Sequence, residues 1–355
     1  VGGEASIDRY QSMARKSPDP RNVLRGHRKG VKCVCFYRGE GAGAGSEDDV
    51  LLFSGDQEGR LKAWDLRRRR ASLDRRLYPQ DSGFVSLCAV EGEGKLLTQG
   101  REGCVKYWDA ERLCSSSEGE RPLAEFSTGC YNFCRFSASS SADGGDPIAA
   151  LPSSDASVVE IWDVGLSKRI SVLQAPTKEK AVGMCTAVCL KAPAGSGDGT
   201  LVWAGYESGD LACFDLRQSA APLALASFSS NEPLMSIAVD KMGLAGVAAS
   251  VGSELVQFEA SPKSGEGGEP GRLGIRALET FEMKQPGVSE VSIRSDGRIF
   301  VAAGWDGRVR VFDYKKRAPL AVLKYHQKNC NAVAFSPGCG LLASASEDSN
   351  IALWD

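Results

Sequence analysis

An aromatic residue followed directly by an acidic residue recurs along this chain of 355 residues at nearly regular intervals. The pairs are Trp64-Asp65, Trp108-Asp109, Trp162-Asp163, Phe214-Asp215, Phe258-Glu259, Phe312-Asp313 and Trp354-Asp355. The steps between successive aromatic residues are 44, 54, 52, 44, 54 and 42 residues, which indicates one base period with loop insertions. Periods of this size are typical of folds in which each repeat buries the apolar face of the next. The chain is therefore predicted to form one repeat array.

Each aromatic–acid pair ends a short run in which apolar and polar residues alternate, such as RLKAWD, SVVEIWD and RVRVFD. Alternation of this kind predicts a β-strand with one packed face. Two further strand-like runs precede it in the repeat, and the earliest of them are VKCVCF, FVSLCAV, YNFCRF, GMCTAVCL, LMSIAV, VSEVSI and NAVAFS. Each repeat is therefore predicted to be built from strands.

These repeats resemble those of the WD-repeat family across essentially the whole chain past residue 20. The Gly-His to Trp-Asp framing of that family is present at two places: Gly26-His27 with Trp64-Asp65 and, without the glycine, His326 with Trp354-Asp355. The resemblance implies an all-β fold, a seven-bladed WD-repeat β-propeller in which stacked four-stranded blades bury one another's faces.

The resemblance also bears on the ends of the domain. It implies that residues 21–24 supply the outer strand of the last blade and close the ring. We expect residues 1–20 to form a flexible N-terminal extension. Residues 21–355 are predicted to form a single propeller.

The chain has only two histidines, at equivalent positions in neighbouring repeats. The resemblance implies that each begins a buried hydrogen-bond chain within its blade. In blade seven its members are His326, Ser344, Asp348 and Trp354. In blade one they are His27, Ser54 and Trp64, with Glu58 where the family has an aspartate. We expect structural and not catalytic roles for these residues, and packing alone in the blades without histidine.

Low-complexity insertions rich in glycine, serine and acid fall where one face of the ring is expected, at 39–49, 114–122, 138–146, 193–199 and 261–271. Turns expected on the opposite, narrower face stay short, such as DQEG, REG, YESG and EDSN. Segments of the first kind are mostly disordered and tolerate change. The narrow face is therefore predicted to carry the partner site.

One residue per blade, just before the turn acid, is predicted to point outward on that face: Gln57, Arg101, Asp155, Glu207, Val251, Trp305 and Glu347. Trp305, with Arg308 and Arg310 nearby, is predicted to anchor a partner, because Trp and Arg dominate the energetics of protein interfaces. The alternative is that Trp305 folds over the central channel as a plug.

Composition favours a protein-binding role over other classes. The formal charge of −2 gives no global basic field for nucleic acid or anionic lipid, and no apolar run approaches the ~18 residues of a membrane helix. The start of the chain lacks the apolar core of a signal peptide.

The twelve cysteines lie mostly in strand-like runs without a CxxC pair, so we expect packing roles for them. No catalytic or cofactor motif is present, and no catalytic residue, metal or cofactor is expected.

An arginine run at Arg67–Arg70, with Arg75 and Arg76, invites a nucleic-acid or nuclear-import interpretation. It lies directly after Trp64-Asp65, where a hairpin is expected, and no aromatic residues interleave it for base stacking. A solvated hairpin is the favoured interpretation.

Two stretches resemble a particular family more closely. VLRGH (23–27) with SGDQEGRLKAWDLRRRR (54–70) is one, and residues 302–337 with LLASASEDSNIALWD (341–355) are the other. They are similar to the G-protein-β-subunit-like family, which includes the ASTRA-associated subunit of fungi. That resemblance implies a non-catalytic adaptor that helps the Tel-Tti-Tti cochaperones mature the phosphatidylinositol-3-kinase-related kinases, with links to chromatin-associated ASTRA-type complexes. We expect the protein in the cytoplasm and nucleus.

The expected partners are accordingly these cochaperones or the kinases themselves, with no direct nucleic-acid or membrane contact. A G-protein γ subunit is not expected, because residues 1–20 show no heptads and contain two prolines. Alternatives are the substrate receptor of a ubiquitin ligase or another generic WD-repeat scaffold. Propeller enzymes and phosphopeptide readers share this fold. The sequence gives no sign of the acids or metal ligands that an enzyme needs around the channel, and it offers too few basic residues on the narrow face to predict a phosphopeptide site.

Overall fold

The computed structural model describes residues 17–39, 50–90, 93–115, 120–140, 146–176, 181–192, 199–218, 221–228, 232–262, 272–338 and 340–355. Within these ranges the strands form seven four-stranded antiparallel sheets. The innermost strand of each sheet contacts the innermost strands of the sheets before and after it, and the last contacts the first. The sheets thus close into a ring, and the predicted seven-bladed propeller is confirmed.

Blades one to three each use strands that are consecutive in sequence, from the central channel outward. Blade one consists of β2 (Val31–Arg38), β3 (Val50–Asp56), β4 (Arg60–Asp65) and β5 (Arg70–Arg76). Blade two consists of β6 (Phe84–Val90), β7 (Lys95–Gly100), β8 (Cys104–Asp109) and β9 (Ala124–Ser127), with a short helix α1 (Ala110–Ser115) after β8. Blade three consists of β10 (Ser137–Ser139), β11 (Ile148–Pro152), β12 (Val159–Asp163) and β13 (Lys168–Leu173).

Blades four to six follow the same order. Blade four consists of β14 (Cys185–Lys191), β15 (Leu201–Tyr206), β16 (Asp210–Asp215) and β17 (Ala224–Ser227). Blade five consists of β18 (Leu234–Val239), β19 (Ala245–Ser250), β20 (Glu254–Pro262) and β21 (Leu273–Glu282). Blade six consists of β22 (Val288–Ile293), β23 (Ile299–Gly304), β24 (Arg308–Asp313) and β25 (Ala318–Lys324).

Blade seven joins the two ends of the described chain. It consists of β26 (Cys330–Phe335), β27 (Leu342–Ser346), β28 (Asn350–Trp354) and the outer strand β1 (Asn22–Arg25). Strand β1 pairs antiparallel with β28, from Asn22 opposite Leu353 to Arg25 opposite Asn350. Leu24 of β1 is 1% exposed in the core between blades seven and one. The predicted closing strand is confirmed, one residue later than the predicted range of 21–24.

The residues just before β1 run along the outside of blade six. The Ser17 hydroxyl donates to the carbonyl of Val322 at 2.9 Å and accepts from the N–H of Lys324 at 3.1 Å, both in β25. Residues 1–16 of the predicted extension lie outside the described residues.

Strand direction assigns every loop to one end of the ring. The turns between second and third strands, and the connections between blades, lie at one end, here called the narrow face. The loops between first and second strands and between third and fourth strands lie at the other end, the wide face. The described residues that flank the predicted low-complexity insertions lie at the wide face, and most residues of the insertions lie outside the described ranges.

Neighbouring blades bury apolar faces against each other. One cluster, between blades one and seven, joins Phe36, Leu52 and Trp64 to Ala343 and Ile351. Burying an aliphatic or aromatic side chain of this size contributes roughly 1.5–3 kcal/mol. The array is therefore stabilised mainly at the interfaces between blades.

The cysteines in the described residues are free thiols. Several of them, including Cys33, Cys185 and Cys213, are buried in strands. Burial raises the pKa of the Cys213 thiol to about 12, so this group stays protonated and packs as a small apolar side chain.

Blade three departs from the sequence-based expectation. The run YNFCRF (131–136) predicts its innermost strand, but this prediction is wrong, because the segment is irregular and β10 follows it. Side chains satisfy its backbone: Gln99 accepts from the N–H of Phe136 at 3.0 Å and donates to the carbonyl of Cys134 at 3.2 Å. Asn132 also accepts from the N–H of Cys134, at 2.9 Å. With these groups paired, the segment does not require a neighbouring strand.

Within the described ranges, no helix has both the length and the apolar character needed to cross a membrane.

Candidate protein-binding site

A cavity of about 770 Å³ opens at the centre of the narrow face. Residues at the beginnings of several innermost strands form its wall, including Lys32, Val85, Met235, Ser289 and Asn331. Short turns at the periphery complete it. The cavity is therefore the narrow-face mouth of the propeller channel.

Three of the predicted narrow-face residues line this cavity: Gln57, Arg101 and Trp305. The other predicted residues lie on narrow-face turns outside it: Asp155, Glu207, Val251, Arg308 and Glu347. Among these, Asp155 and Arg308 are exposed, whereas Glu207, Val251 and Glu347 are half-buried. The structure thus divides the predicted set into a central group and a peripheral group.

Two of the peripheral acids already have partners. Glu207 accepts a hydrogen bond from the N–H of Met184 at 2.8 Å. Glu347 pairs with Lys32 at 2.9 Å, across the boundary between blades seven and one. Both carboxylates therefore support neighbouring loops in addition to facing solvent.

Trp305 lies at the mouth of the cavity and keeps 38% of its surface exposed. Its ring packs on Gly287, where a Cβ atom would come within 2.2 Å of the ring, and Gly287 has a φ of +92°. The backbone N–H of Trp305 donates to the backbone carbonyl of Gly287 at 3.0 Å. The indole is thus fixed from beneath and open above, so it lines the channel mouth without sealing it.

The prediction that Arg310 flanks Trp305 at the surface is wrong. Arg310 is 6% exposed, and its guanidinium forms two hydrogen bonds with Asp306, at 3.1 and 2.6 Å. Burial alone would raise the pKa of Asp306, but the hydrogen bonds and charge of Arg310 lower it. Arg310 therefore stabilises the β23–β24 turn, and Arg308 is the arginine that remains exposed beside Trp305.

Two exposed aromatic residues on this face are not predicted from the sequence. Tyr131 and Phe133 are 74% and 69% exposed, in the irregular segment before β10. Phe133 lines the cavity, and the Arg101 guanidinium lies 5.0 Å from its ring centroid, within cation–π range. The sequence does not indicate that they are exposed, because aromatic residues in an apolar run predict a buried strand.

The inner wall of the cavity carries an ion pair that spans the channel. Arg135 of blade three pairs with Glu290 of blade six at 2.6 Å. It also donates to the carbonyls of Asn331 at 2.6 Å and Lys32 at 3.3 Å. Burial alone would lower the pKa of Arg135, but Glu290 raises it, so the guanidinium stays charged. This ion pair ties together blades that are not neighbours.

The hydrogen-bond chain predicted in blade seven is present. His326 lies 3.1 Å from Asp348 through Nδ1 and 2.9 Å from the Ser344 hydroxyl through Nε2. Trp354 Nε1 donates to the same hydroxyl at 3.0 Å. Burial alone would raise the pKa of Asp348, but hydrogen bonds from His326 and the N–H of Gln327 lower it to about 2.

Blade one forms the same chain with a different acid. His27 lies 2.7 Å from the Ser54 hydroxyl, which also accepts from Trp64 Nε1 at 2.7 Å. The carboxylate facing His27 is Asp56, at 2.8 Å, so the assignment of Glu58 to this chain is corrected. Asp56 ends β3, two residues before Glu58, and its shorter side chain reaches the buried imidazole directly.

Blade two contains a related chain without histidine. The Tyr78 hydroxyl lies 2.8 Å from Thr98 Oγ1, which accepts from Trp108 Nε1 at 3.1 Å. The expectation that blades lacking histidine are held by packing alone is therefore wrong for blade two. A tyrosine can replace histidine here because its hydroxyl also reaches the β-strand hydroxyl from the blade edge.

The described residues contain no cluster of three or more His, Cys, Asp or Glu side chains placed to hold a metal ion.

A ring of seven four-stranded blades with an aromatic–acid repeat defines a WD-repeat β-propeller. Residues 18–65, 276–313 and 317–355 match the family described as "WD domain, G-beta repeat". Raptor from Chaetomium thermophilum shares the fold, with a TM-score of 0.73 and 15% identity over 98% of this chain and 30% of that one.

Proteins with similar sequences place the chain in a more specific family of WD-repeat proteins. Mouse guanine nucleotide-binding protein subunit beta-like protein 1 is 30% identical over 95% of this chain and 96% of its own length. ASTRA-associated protein 1 of Verticillium alfalfae is 28% identical over 90% of this chain and 80% of its own length. The Schizosaccharomyces pombe protein of the same name is 26% identical over 95% and 98%. The chain belongs to the family of guanine nucleotide-binding protein subunit beta-like protein 1 and ASTRA-associated protein 1.

Proposed function

We propose that this protein is a non-catalytic adaptor that binds partner polypeptides at the narrow-face cavity within an ASTRA-type complex. The observation that carries the proposal is the exposed, rigidly supported indole of Trp305 at the cavity mouth. The names of the fungal relatives support the type of complex. In this role it assists the Tel-Tti-Tti cochaperones in maturing phosphatidylinositol-3-kinase-related kinases, in the cytoplasm and nucleus.

The chemistry of the cavity suits a polypeptide. Trp305 and Phe133 offer apolar surface, and Arg101 is already positioned over the Phe133 ring. Aromatic residues and arginine are enriched in the cores of protein interfaces, where they dominate the binding energy. A volume of about 770 Å³ admits a few side chains of a docked segment but not a folded domain.

The support beneath Trp305 explains why it can act as an anchor. An aromatic side chain that is already fixed loses little conformational entropy on binding. Gly287 packs against this ring, and the backbone hydrogen bond from Trp305 to Gly287 fixes the turn that carries it. Truncating such an anchor typically costs about 2 kcal/mol or more of binding free energy.

The test is affinity purification of the tagged protein from cells, with immunoblots for the cochaperone subunits and the kinases. Trp305→Ala is expected to reduce their recovery at least about tenfold, as expected for a lost anchor, with an unchanged melting temperature. Leu166→Ala is the matched control, because Leu166 is an exposed apolar residue on the wide face. Kinase abundance in cells carrying each variant gives a second readout.

Retention of the cochaperones and kinases by Trp305→Ala would contradict the narrow-face site. Recovery of a ubiquitin-ligase adaptor in place of the cochaperones would contradict the adaptor role itself. A large fall in the melting temperature of Trp305→Ala would assign the residue to the fold as a channel plug.

A further inference from the structure

Strands β4 and β5 of blade one, with the wide-face turn between them, carry a concentration of positive charge that the narrow-face site does not use. Residues 60–76 hold eight basic side chains and two acidic ones, in a chain with 43 basic and 45 acidic residues. We call this segment the basic edge. Since the rest of the chain holds more acidic than basic residues, the basic edge is a local feature with its own electrostatic field.

The basic edge exposes its charge at one turn. Arg67–Arg69 lie in the turn between β4 and β5, Arg70 begins β5, and all four residues are exposed. The acidic residues of the edge are engaged within it: Asp74 pairs with Arg60 and Lys62, and Asp65 lies 3.5 Å from Arg68. The turn therefore presents a net positive surface to the solvent.

A cavity of about 270 Å³ lies beside this turn, between blade one and the closing strand of blade seven. Its apolar lining is Leu66 with the buried Leu341 and Leu353. Its basic side chains are Arg67, Arg69 and Arg21, and Arg21 pairs with Asp355 at 3.0 Å. Arginines from both blades thus frame a leucine-lined floor. A ligand that fits must combine negative charge with an apolar group.

We propose that this cavity and the arginine turn above it bind an acidic, leucine-containing peptide segment of a partner protein. Carboxylates pair with the arginine guanidinium groups, often through two parallel hydrogen bonds, while a leucine side chain fills the floor. A nucleic acid fits less well, because its backbone has no aliphatic side chain and no aromatic residue lines the described cavity for base stacking.

This surface is separate from the site of the proposed function. It lies on the wide face at the seam between blades seven and one, whereas Trp305 lies at the narrow-face mouth. A peptide held here leaves the narrow face free. The protein can therefore hold two partner segments at the same time.

The test uses fluorescence anisotropy with the purified protein. The probe is a fluorescein-labelled twelve-residue peptide, Glu-Glu-Leu-Glu repeated three times. A second peptide has every Glu replaced by Gln, and a single-stranded DNA 12-mer serves as the nucleic-acid probe. Binding of the acidic peptide is expected to weaken as salt rises, because the attraction between exposed charges is screened.

The variants distinguish binding at this cavity from nonspecific attraction of the peptide to positive charge. Arg67→Glu with Arg69→Glu is expected to weaken binding of the acidic peptide at least about tenfold, since two attractive contacts become repulsive. Arg67→Gln with Arg69→Gln gives a milder loss if the reversed charges disturb the turn. Lys168→Glu with Lys241→Glu makes the same charge change at exposed wide-face positions of blades three and five and is expected to stay within about twofold.

Four outcomes would overturn the proposal. These are no measurable binding of the acidic peptide, equal binding of the Gln peptide, an equal loss in the lysine control, and DNA bound more tightly than the acidic peptide through the same arginines. Trp305→Ala is expected to bind the peptide normally, so failure of this site and failure of the narrow-face site are distinguishable.

Discussion

The Nδ1 atom of His27 lies 2.8 Å from Oδ2 of Asp56, and both side chains are almost completely buried. The other oxygen of the same carboxylate accepts from the backbone N–H groups of Glu58 and Arg60, each at 3.0 Å. Asp56 therefore fixes the imidazole and the β3–β4 turn together. In blade seven Asp348 faces His326 and accepts from the N–H of Asn350 at 3.0 Å, while Ser346 accepts from the N–H of Asp348 at 3.1 Å.

Replacing Asp56 by Asn tests this double role. Asn keeps the volume but removes the charge, so the bonds to His27 and to the turn are weakened at once. We expect the free energy of unfolding to fall by about 1–3 kcal/mol, as for other buried charge-assisted hydrogen bonds. The measurement is urea denaturation followed by tryptophan fluorescence.

Glu58→Gln is the matched control. Among the described residues, the Glu58 carboxylate approaches only Lys29, at 3.8 Å, and Gln80, at 3.4 Å, so its charge contributes little. We expect a change below about 0.5 kcal/mol, as for exposed ion pairs. If Glu58→Gln destabilised the protein as much as Asp56→Asn, Glu58 would be the acid of blade one after all.

How far the sequence predicts this structure depends on the range of each interaction. The aromatic–acid spacing and the alternating strands predict seven blades because both depend on neighbours in sequence. The exposure of Phe133 is not predictable in this way, because Gln99, a distant residue in blade two, satisfies the backbone of the segment that contains it. The prediction for Arg310 is wrong for a similar reason. Its burial depends on the hydrogen bond that it forms with Asp306 in the folded turn.

Asp348 gives blade seven a defined dependence on acid. Its folded pKa of about 2 lies below the value of about 3.9 in an unfolded chain. The carboxylate therefore contributes stability that is fully present above about pH 4 and is lost as the pH falls toward 2. We expect Asp348→Asn to lie below the wild type in free energy of unfolding at pH 5, with the gap shrinking by about 1–2 kcal/mol at pH 2. Urea denaturation at the two pH values measures the gap, and a constant gap would contradict the role of the charge.

Tyr78 allows the hydrogen-bond chain of blade two to be tested by removing one oxygen atom. Tyr78→Phe keeps the buried ring but leaves Thr98 without its partner at 2.8 Å. We expect a loss of about 1 kcal/mol in the free energy of unfolding. Tyr314→Phe is the control, because the buried Tyr314 hydroxyl has no hydrogen-bond partner among the described residues. That change is expected to be neutral or slightly stabilising, and equal losses in both variants would show that the Tyr78 bond contributes nothing specific.

The ion pair between Arg135 and Glu290 bears on the proposed function, because Arg135 lines the narrow-face cavity. Arg135→Met leaves the Glu290 carboxylate partly buried without its guanidinium, although the N–H of Val333 still donates to it at 2.7 Å. We expect a loss of about 2–4 kcal/mol in the free energy of unfolding.

Adding Glu290→Gln to Arg135→Met removes the unpaired charge and keeps an acceptor for Val333. The double variant is therefore expected to recover at least about 1 kcal/mol of that loss, which a double-mutant cycle measures directly. It is also expected to capture partners as the wild type does, because the pair is neutralised within the channel while Trp305 and Phe133 remain exposed above it. A double variant that folds normally but loses its partners would place Arg135 in the binding site, since the loss could not then be assigned to the ring.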